Sequence, residues 1–146
     1  MEIAKRRAKG LVGIAALAGA ISLSSLAAPA FGQEVRVALS GGQEIPPVTT
    51  TGAGTGIIAV AADRGVTASV TVSGMAVTVA HIHEAPAGSN GPIVVPLVKT
   101  SDNTWAVPPG TKLTPAQYDA FKAGNLYFNV HSDAHKAGEI RGQIKP

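Results

Sequence analysis

All four histidines of this chain lie in two short clusters, and they carry most of its capacity for metal or proton chemistry. The first cluster is His81-Ile82-His83, and the second spans His131-Ser132-Asp133-Ala134-His135. In a β-strand, residues i and i+2 point to the same face about 6–7 Å apart, so His81 and His83 present two imidazoles side by side. Neutral imidazole is the commonest metal ligand in proteins. The spacing therefore indicates two ligands for one ion.

A third imidazole, from His131, joins this pair if the sheet brings the two strand ends together. The chain contains no cysteine, and three imidazoles without thiolates favour copper or zinc. His135 and Glu84 are candidates for a fourth ligand or for a group that orients an imidazole. The competing interpretation is structural. Paired histidines at strand ends then hydrogen-bond loop carbonyls, while His135 and Glu84 are solvated.

No complete catalytic constellation accompanies the histidines, so the sequence favours a protein that is not an enzyme. A Gly-x-Ser-x-Gly nucleophile motif is missing. The glycine-rich stretch 52–56 lacks the lysine and the strand–turn–helix context of a phosphate loop. Glu139 and Arg141 lie two apart on one face of a predicted strand. The two arrangements open to them are a cross-strand network and a polar patch with Asn129, and a structural role is the favoured interpretation.

Composition narrows the class of protein further. Hydrophobic residues make up 45% of the chain, which is too apolar for a disordered protein. The absence of cysteine excludes disulfide frameworks and zinc-finger cages. Residues 1–32 hold four of the twelve basic residues and one of the nine acidic residues, so eight of each remain from residue 33 onward. Because no basic cluster is left to neutralise phosphates, we expect no nucleic-acid partner.

Residues 1–32 have the pattern of a secretory signal peptide. A basic start, Lys5-Arg6-Arg7-Ala8-Lys9, precedes an apolar stretch from Leu11 to Ala28 and then small residues. Cleavage after Ala30 fits the A-x-A rule, and cleavage after Gly32 is nearly as good. The rival interpretation is an uncleaved membrane anchor, since the stretch is about long enough to span a bilayer. We expect cleavage, a secreted or periplasmic location, and no membrane attachment afterwards.

Residues 33–146 predict one all-β domain, an antiparallel β-sandwich of seven or eight short strands. Runs that alternate apolar and polar residues are separated by turns rich in glycine, proline and asparagine, as is typical of sandwiches and barrels. Pro96 argues that its run is an edge strand or contains a bulge. The predicted strands are Glu34–Ser40, Gly56–Ala62, Val66–Ser73, Val77–His83, Ile93–Val98, Asn125–His131 and Glu139–Ile144.

One short helix, over residues 115–123, is predicted between the strands. Thr114 is a favourable N-cap, Pro115 suits the first helical position, and Gln117 completes a capping box. Gly124 is the expected signal at the C-terminal end. A helix of about nine residues is not stable alone. We therefore expect Tyr118 and Phe121 to pack it onto the sheet.

The two histidine strands conflict over where a shared site would lie. In the run 77–83, Val77 and Val79 lie on the same face as the two histidines, which suggests that this face points inward. His131 instead lies on the polar face of its strand. Convergence therefore requires a bulge near a strand end, or a site on the outer face of the sheet with Ala80 and Ile82 pointing inward.

Residues 33–146 resemble the CHRD domain family, first described as the repeated module of the extracellular inhibitor chordin and found also in microbial secreted proteins. The resemblance covers about Val35 to Ile144, with the motifs in the order typical of the family. These motifs are Leu39-Ser40-Gly41-Gly42-Gln43-Glu44-Ile45-Pro46-Pro47-Val48, His81-Ile82-His83, Pro86-Ala87-Gly88-Ser89-Asn90-Gly91-Pro92, Leu126-Tyr127-Phe128-Asn129-Val130-His131 and Gly138-Glu139-Ile140-Arg141-Gly142-Gln143.

This resemblance implies an immunoglobulin-like or superoxide-dismutase-like sandwich. In chordin the modules belong to a protein that binds growth factors. His81, His83 and His131 fall on histidine positions typical of the family, whereas His135 falls on a variable position. Lys136 stands where proline is common. An inherited site would therefore use the first three histidines.

The segment His81-Ile82-His83-Glu84 is also similar to the copper-ligand strand of copper–zinc superoxide dismutases. The chain departs from those enzymes because it lacks a cysteine pair and a zinc loop rich in histidine and aspartate. The sequence therefore favours a non-catalytic extracytoplasmic binding or structural module with a protein or metal partner. The alternative is a copper- or zinc-binding protein that uses the three histidines, with superoxide-dismutase-like redox activity as its extension.

Overall fold

The computed structural model describes residues 32–146, which form nine β-strands, one α-helix and a 3-10 turn at Gly41–Gln43. The predicted signal peptide lies outside the described residues, apart from Gly32. Among residues 32–146, no helical segment has the length and apolar character of a membrane-crossing helix. The elements are β1 (Val35–Ser40), β2 (Ala53–Val60), β3 (Val66–Ser73), β4 (Val79–Glu84), β5 (Ile93–Pro96), β6 (Val98–Ser101), β7 (Thr104–Ala106), α1 (Pro115–Lys122), β8 (Leu126–His131) and β9 (Ile140–Ile144).

All nine strands join one antiparallel sheet in the order β5-β4-β8-β9-β1-β2-β3-β7-β6. The predicted all-β fold with one short helix is therefore confirmed. The described residues contain nine strands instead of seven or eight because the predicted strand 93–98 divides at Leu97 into β5 and β6. Strand β7, with three residues, is too short to show an alternating pattern. Strand β5 lies at a sheet edge, as Pro96 predicts.

The sheet curls so that distant strands share one core. Phe128 of β8 is fully buried, and it meets β2, which is three positions away in the sheet order. A Cβ atom on Gly56 of β2 would lie 2.6 Å from the Phe128 ring. The missing side chain at Gly56 thus makes room for an aromatic ring that joins the two halves of the sheet.

Strand β8 is buried along its whole length and on both faces. Its apolar residues face the core, while Tyr127, Asn129 and His131 alternate with them on the outer face. An antiparallel sheet commonly leaves such a polar face to water. Here three loops cover it, and the outer face of β8 becomes a buried polar row. The covering contacts are Asn129 with Glu44, Tyr127 with Gly91, and His131 with Lys136.

Helix α1 begins where the capping signals predict. The Thr114 hydroxyl accepts a hydrogen bond from the Gln117 main-chain amide at 3.2 Å, and the Gln117 side chain accepts one from the Thr114 amide at 2.9 Å. Phe121 is buried in the core, and Tyr118 packs against it. The predicted helix is confirmed, and it ends one residue earlier than expected, at Lys122.

Removal of this cap should weaken the domain without unfolding it. We expect Thr114→Ala to lower the free energy of unfolding by about 1 kcal/mol, because the Gln117 amide loses its acceptor. Denaturant unfolding of Thr114→Ala beside Thr49→Ala, an exposed threonine outside any helix, measures the difference. Equal midpoints for the two variants would contradict the capping role.

Candidate metal centre

The clustered histidines lie on the outer face of the sheet. Ala80 and Ile82 of β4 are fully buried in the core, so His81 and His83, which alternate with them, point away from it. The predicted alternative, a site on the outer face with Ala80 and Ile82 pointing inward, is therefore correct. The inward orientation is wrong, because Val77 precedes β4 and Val79 fits a half-buried sheet surface. Strand β8 runs antiparallel beside β4 and places His131 on the same face, diagonal to His81.

Three imidazoles converge at this point. One ring nitrogen from each of His81, His83 and His131 lies within 4.8 Å of the other two. The closest pair is His81 Nδ1 and His131 Nε2, which are 3.2 Å apart. Two ligands of one tetrahedral zinc ion, with bonds of about 2 Å, are separated by about 3.3 Å. This pair already has the spacing of a shared ion, and a shift of about 1.5 Å would bring in the His83 ring.

Main-chain carbonyls fix the tautomers of two of these rings. His83 Nδ1 lies 2.9 Å from Gly91 O, and His131 Nδ1 lies 2.9 Å from Lys136 O. Because a carbonyl can only accept, each Nδ1 carries the proton and donates it. Both rings consequently keep an unprotonated Nε2. Metal-ligating histidines are commonly oriented by such a bond from the nitrogen that does not bind the ion.

The Nε2 atom of His83 is buried and has no hydrogen-bond partner among residues 32–146. Buried polar atoms without a partner are rare, because each costs about 1–3 kcal/mol. His83 Nδ1 already holds the ring proton, so Nε2 offers only an electron pair. A group that satisfies this nitrogen would be a hydrogen-bond donor such as water or an electron-pair acceptor such as a metal ion.

All three rings favour the neutral form, which is the form that binds metals. Burial lowers the pKa of His81 to about 4, and the nearby His131 and His83 add to the effect. Burial also lowers the pKa of His83 and of His131, and it outweighs the opposing effect of the carbonyl at each Nδ1 atom. At neutral pH the cluster therefore presents uncharged ligands.

These lowered pKa values make the stability of the metal-free protein depend on pH. An unfolded histidine has a pKa near 6.5, so below that pH the unfolded chain binds protons that folded His81 does not bind until about pH 4. Stability should be complete above about pH 6.5 and decline as the pH falls toward 4. Denaturant unfolding across this range measures the slope, and His81→Gln should reduce it. An unchanged slope in that variant would contradict the assignment.

Two other candidate residues stay outside the cluster. Within residues 32–146, Glu84 and His135 are not among the side chains whose ligand atoms come together. His135 lies in the loop after β8, where its main-chain amide donates to Ser132 Oγ at 3.1 Å. The geometry gives neither residue a place in the ligand set.

Glu139 braces the loop that orients His131. Its buried carboxylate accepts hydrogen bonds from the Ser132 and Thr50 hydroxyls. Burial opposes ionisation of Glu139, but these hydrogen bonds outweigh it and leave its pKa lowered. Asn129 instead donates to Glu44 at 2.6 Å. The predicted structural role of Glu139 agrees with these contacts, while the expected patch with Asn129 divides into separate pairs.

Tyr127 contacts the site directly, although no motif in the sequence identified it as a site residue. Its ring stacks on His83 with centroids 5.1 Å apart, and its hydroxyl accepts a hydrogen bond from the Gly91 amide at 3.1 Å. The available signal was the alternation that places Tyr127 on the same face as His131. That alternation identifies a shared face, but it does not identify which strand lies beside it.

The fold and the buried polar row define a small antiparallel β domain with a histidine cluster on its outer face. The family model of the CHRD domain matches residues 35–144, and the chain belongs to the CHRD domain family. This membership supports a small domain with a binding or structural role. Neither the curated proteins nor the solved structures that were searched gave a match.

Proposed function

We propose that this protein is an exported, non-catalytic binding module that holds one copper or zinc ion through His81, His83 and His131. The observation that carries the proposal is the convergence of three ring nitrogens within 4.8 Å. The fixed tautomers and the unpartnered Nε2 of His83 support it. Export is proposed from the signal-peptide pattern of residues 1–32.

Metal titration of the purified protein tests the proposal. Calorimetry with ZnCl₂ after removal of metals by a chelator should give one site per chain, and copper should compete with zinc and bind more tightly. Absence of a one-to-one zinc or copper complex would overturn the metal assignment.

Mass spectrometry of the exported protein would show whether the chain starts after Ala30 or Gly32.

One observation favours the redox-active alternative. Three protein ligands leave a fourth position of a tetrahedral ion open, as in catalytic rather than structural zinc sites. An open position on a bound copper ion would be a coordination site for a small oxygen species. A superoxide dismutation assay of the copper-loaded protein, with the His81→Ala variant as its control, distinguishes the alternative from a binding module. Equal activity in the wild type and in His81→Ala, each measured after unbound copper is removed, would exclude it.

A further inference from the structure

Arg141 on β9 is a buried cation beside the candidate site. It is 2% exposed, and no carboxylate of residues 32–146 forms a direct ion pair with its guanidinium, although its charge acts on the nearby Glu44 carboxyl and favours the ionised form. A buried charge is costly unless it is paired or fully hydrogen-bonded. The cost of burying Arg141 is therefore reduced by the hydrogen-bond acceptors that its guanidinium reaches.

The donors of Arg141 hold the loop between β4 and β5. Its Nη2 donates to Ser89 O at 2.8 Å, and its Nη1 donates to Asn90 Oδ1 at 3.1 Å. A third bond, from Nη2 to Gln143 Oε1 at 3.3 Å, stays within β9. The next residue in the loop is Gly91, whose carbonyl accepts the Nδ1 proton of His83. The guanidinium thus fixes the loop directly before the carbonyl that sets the His83 tautomer.

Arg141 also reaches His83 through Tyr127. The guanidinium carbon lies 3.5 Å from the centroid of the Tyr127 ring, and the same ring stacks on His83 with an interplanar angle of 17°. Strand β8, which carries Tyr127, lies between β4 and β9 in the sheet. Two routes, one through the loop and one through the aromatic ring, therefore connect Arg141 with one imidazole.

We propose that Arg141 is the positioning residue of the histidine cluster. Its guanidinium holds His83 in the Nδ1–H tautomer and leaves His83 Nε2 free for a ligand. The expected effect of Arg141 on metal affinity rests on the proposed function. The expected effect of Arg141 on the His83 tautomer does not. Lysine cannot replace this arginine, because an ammonium group lacks the planar fork that stacks on a ring and donates to two acceptors.

Nuclear magnetic resonance of the metal-free protein tests the tautomer. Long-range ¹H–¹⁵N spectra of the wild type should show His83 protonated at Nδ1 alone. Arg141→Lys should give a mixture of the two His83 tautomers, whereas Arg36→Lys, an exposed arginine on β1, should not. A pure Nδ1–H tautomer in Arg141→Lys would overturn the proposal.

A double-mutant cycle on zinc affinity tests whether Arg141 acts through His83. Loss of a group that orients a ligand typically costs 10–100-fold in affinity, and we expect a loss of about this size for Arg141→Lys. In the His83→Ala background the same substitution should change the affinity by less than about 3-fold, because the residue it positions is gone. Equal losses in both backgrounds would show a general structural effect and overturn the proposal.

A second variant keeps the test decisive where Arg141→Lys fails to fold. Asn90→Ala removes one acceptor of the guanidinium at an exposed position. It should also give a mixture of the two His83 tautomers, and it should lower the zinc affinity by up to about 10-fold. A wild-type protein that binds no zinc would overturn the proposed function alone, because the tautomer measurement would still decide the role of Arg141.

Discussion

Zinc affinity should fall at least about 100-fold in His131→Ala and remain unchanged in His135→Ala. His131 contributes one of the three converging nitrogens, whereas His135 lies four residues later and outside the cluster. Loss of a group that merely orients a ligand already costs 10–100-fold, so loss of the ligand itself should cost at least as much. Calorimetric titration of the two variants compares two histidines that lie only four residues apart.

The remaining histidines of the cluster extend this test. His81→Ala and His83→Ala should each lose affinity by a similar factor, since a tetrahedral ion with two protein ligands is weakly held. His131 is buried, and its ring donates a hydrogen bond to Lys136 O. The unfolding midpoint of each metal-free variant must therefore be measured beside its zinc affinity. Equal affinities in His131→Ala and His135→Ala would refute the three-histidine site.

Gly91→Ala should destabilise the domain by about 3 kcal/mol, at the upper end of the range for overpacking. A Cβ atom at this position would lie 1.8 Å from Glu84 O. Glu84 O belongs to the main chain, and the position of a Cβ is fixed by the main chain of its own residue, so relief requires the loop to move away from β4. That movement would also withdraw the Gly91 carbonyl from His83 Nδ1. Thermal unfolding measures the loss of stability, and the zinc affinity should fall with it.

Gly88→Ala is the matched control in the same loop. Gly88 has a φ of +85°, but a Cβ there would meet nothing within 4 Å. Its substitution should cost only about 1 kcal/mol, through the left-handed backbone conformation, and should leave zinc binding unchanged. A smaller loss of stability in Gly91→Ala than in Gly88→Ala would contradict the close-approach argument.

Local signals in the sequence were sufficient for much of the fold. The capping box needs only the residues around Thr114, and the helix begins there. Period-two alternation located most strands, because one face of each is buried in the core. It failed for Thr104–Ala106, where three residues are too few to show a period. The identity of the three clustered histidines followed from the H-x-H spacing and the family positions.

The contacts that position the histidines could not be predicted, because they join residues far apart in the chain. Arg141 and Ser89 are 52 residues apart, and His81 and His131 are 50 apart. Alternation gives the face of a strand but not the order of strands in the sheet. It also left the face of β4 undecided, because Val79 alternates in step with the imidazoles, although Ala80 and Ile82 are the residues that fill the core.

The hydrogen bond between His81 and His131 fixes the position of the His81 proton in the metal-free protein. His131 Nε2 can only accept, so His81 carries its proton on Nδ1 in the metal-free state. With an ion held at His81 Nδ1, the ring would carry its proton on Nε2 instead, and loading would release none of it to solvent. Thiolate or charged imidazole sites release protons on loading. Occupancy of this site would instead follow the free ion concentration and remain insensitive to changes in ambient acidity around neutrality.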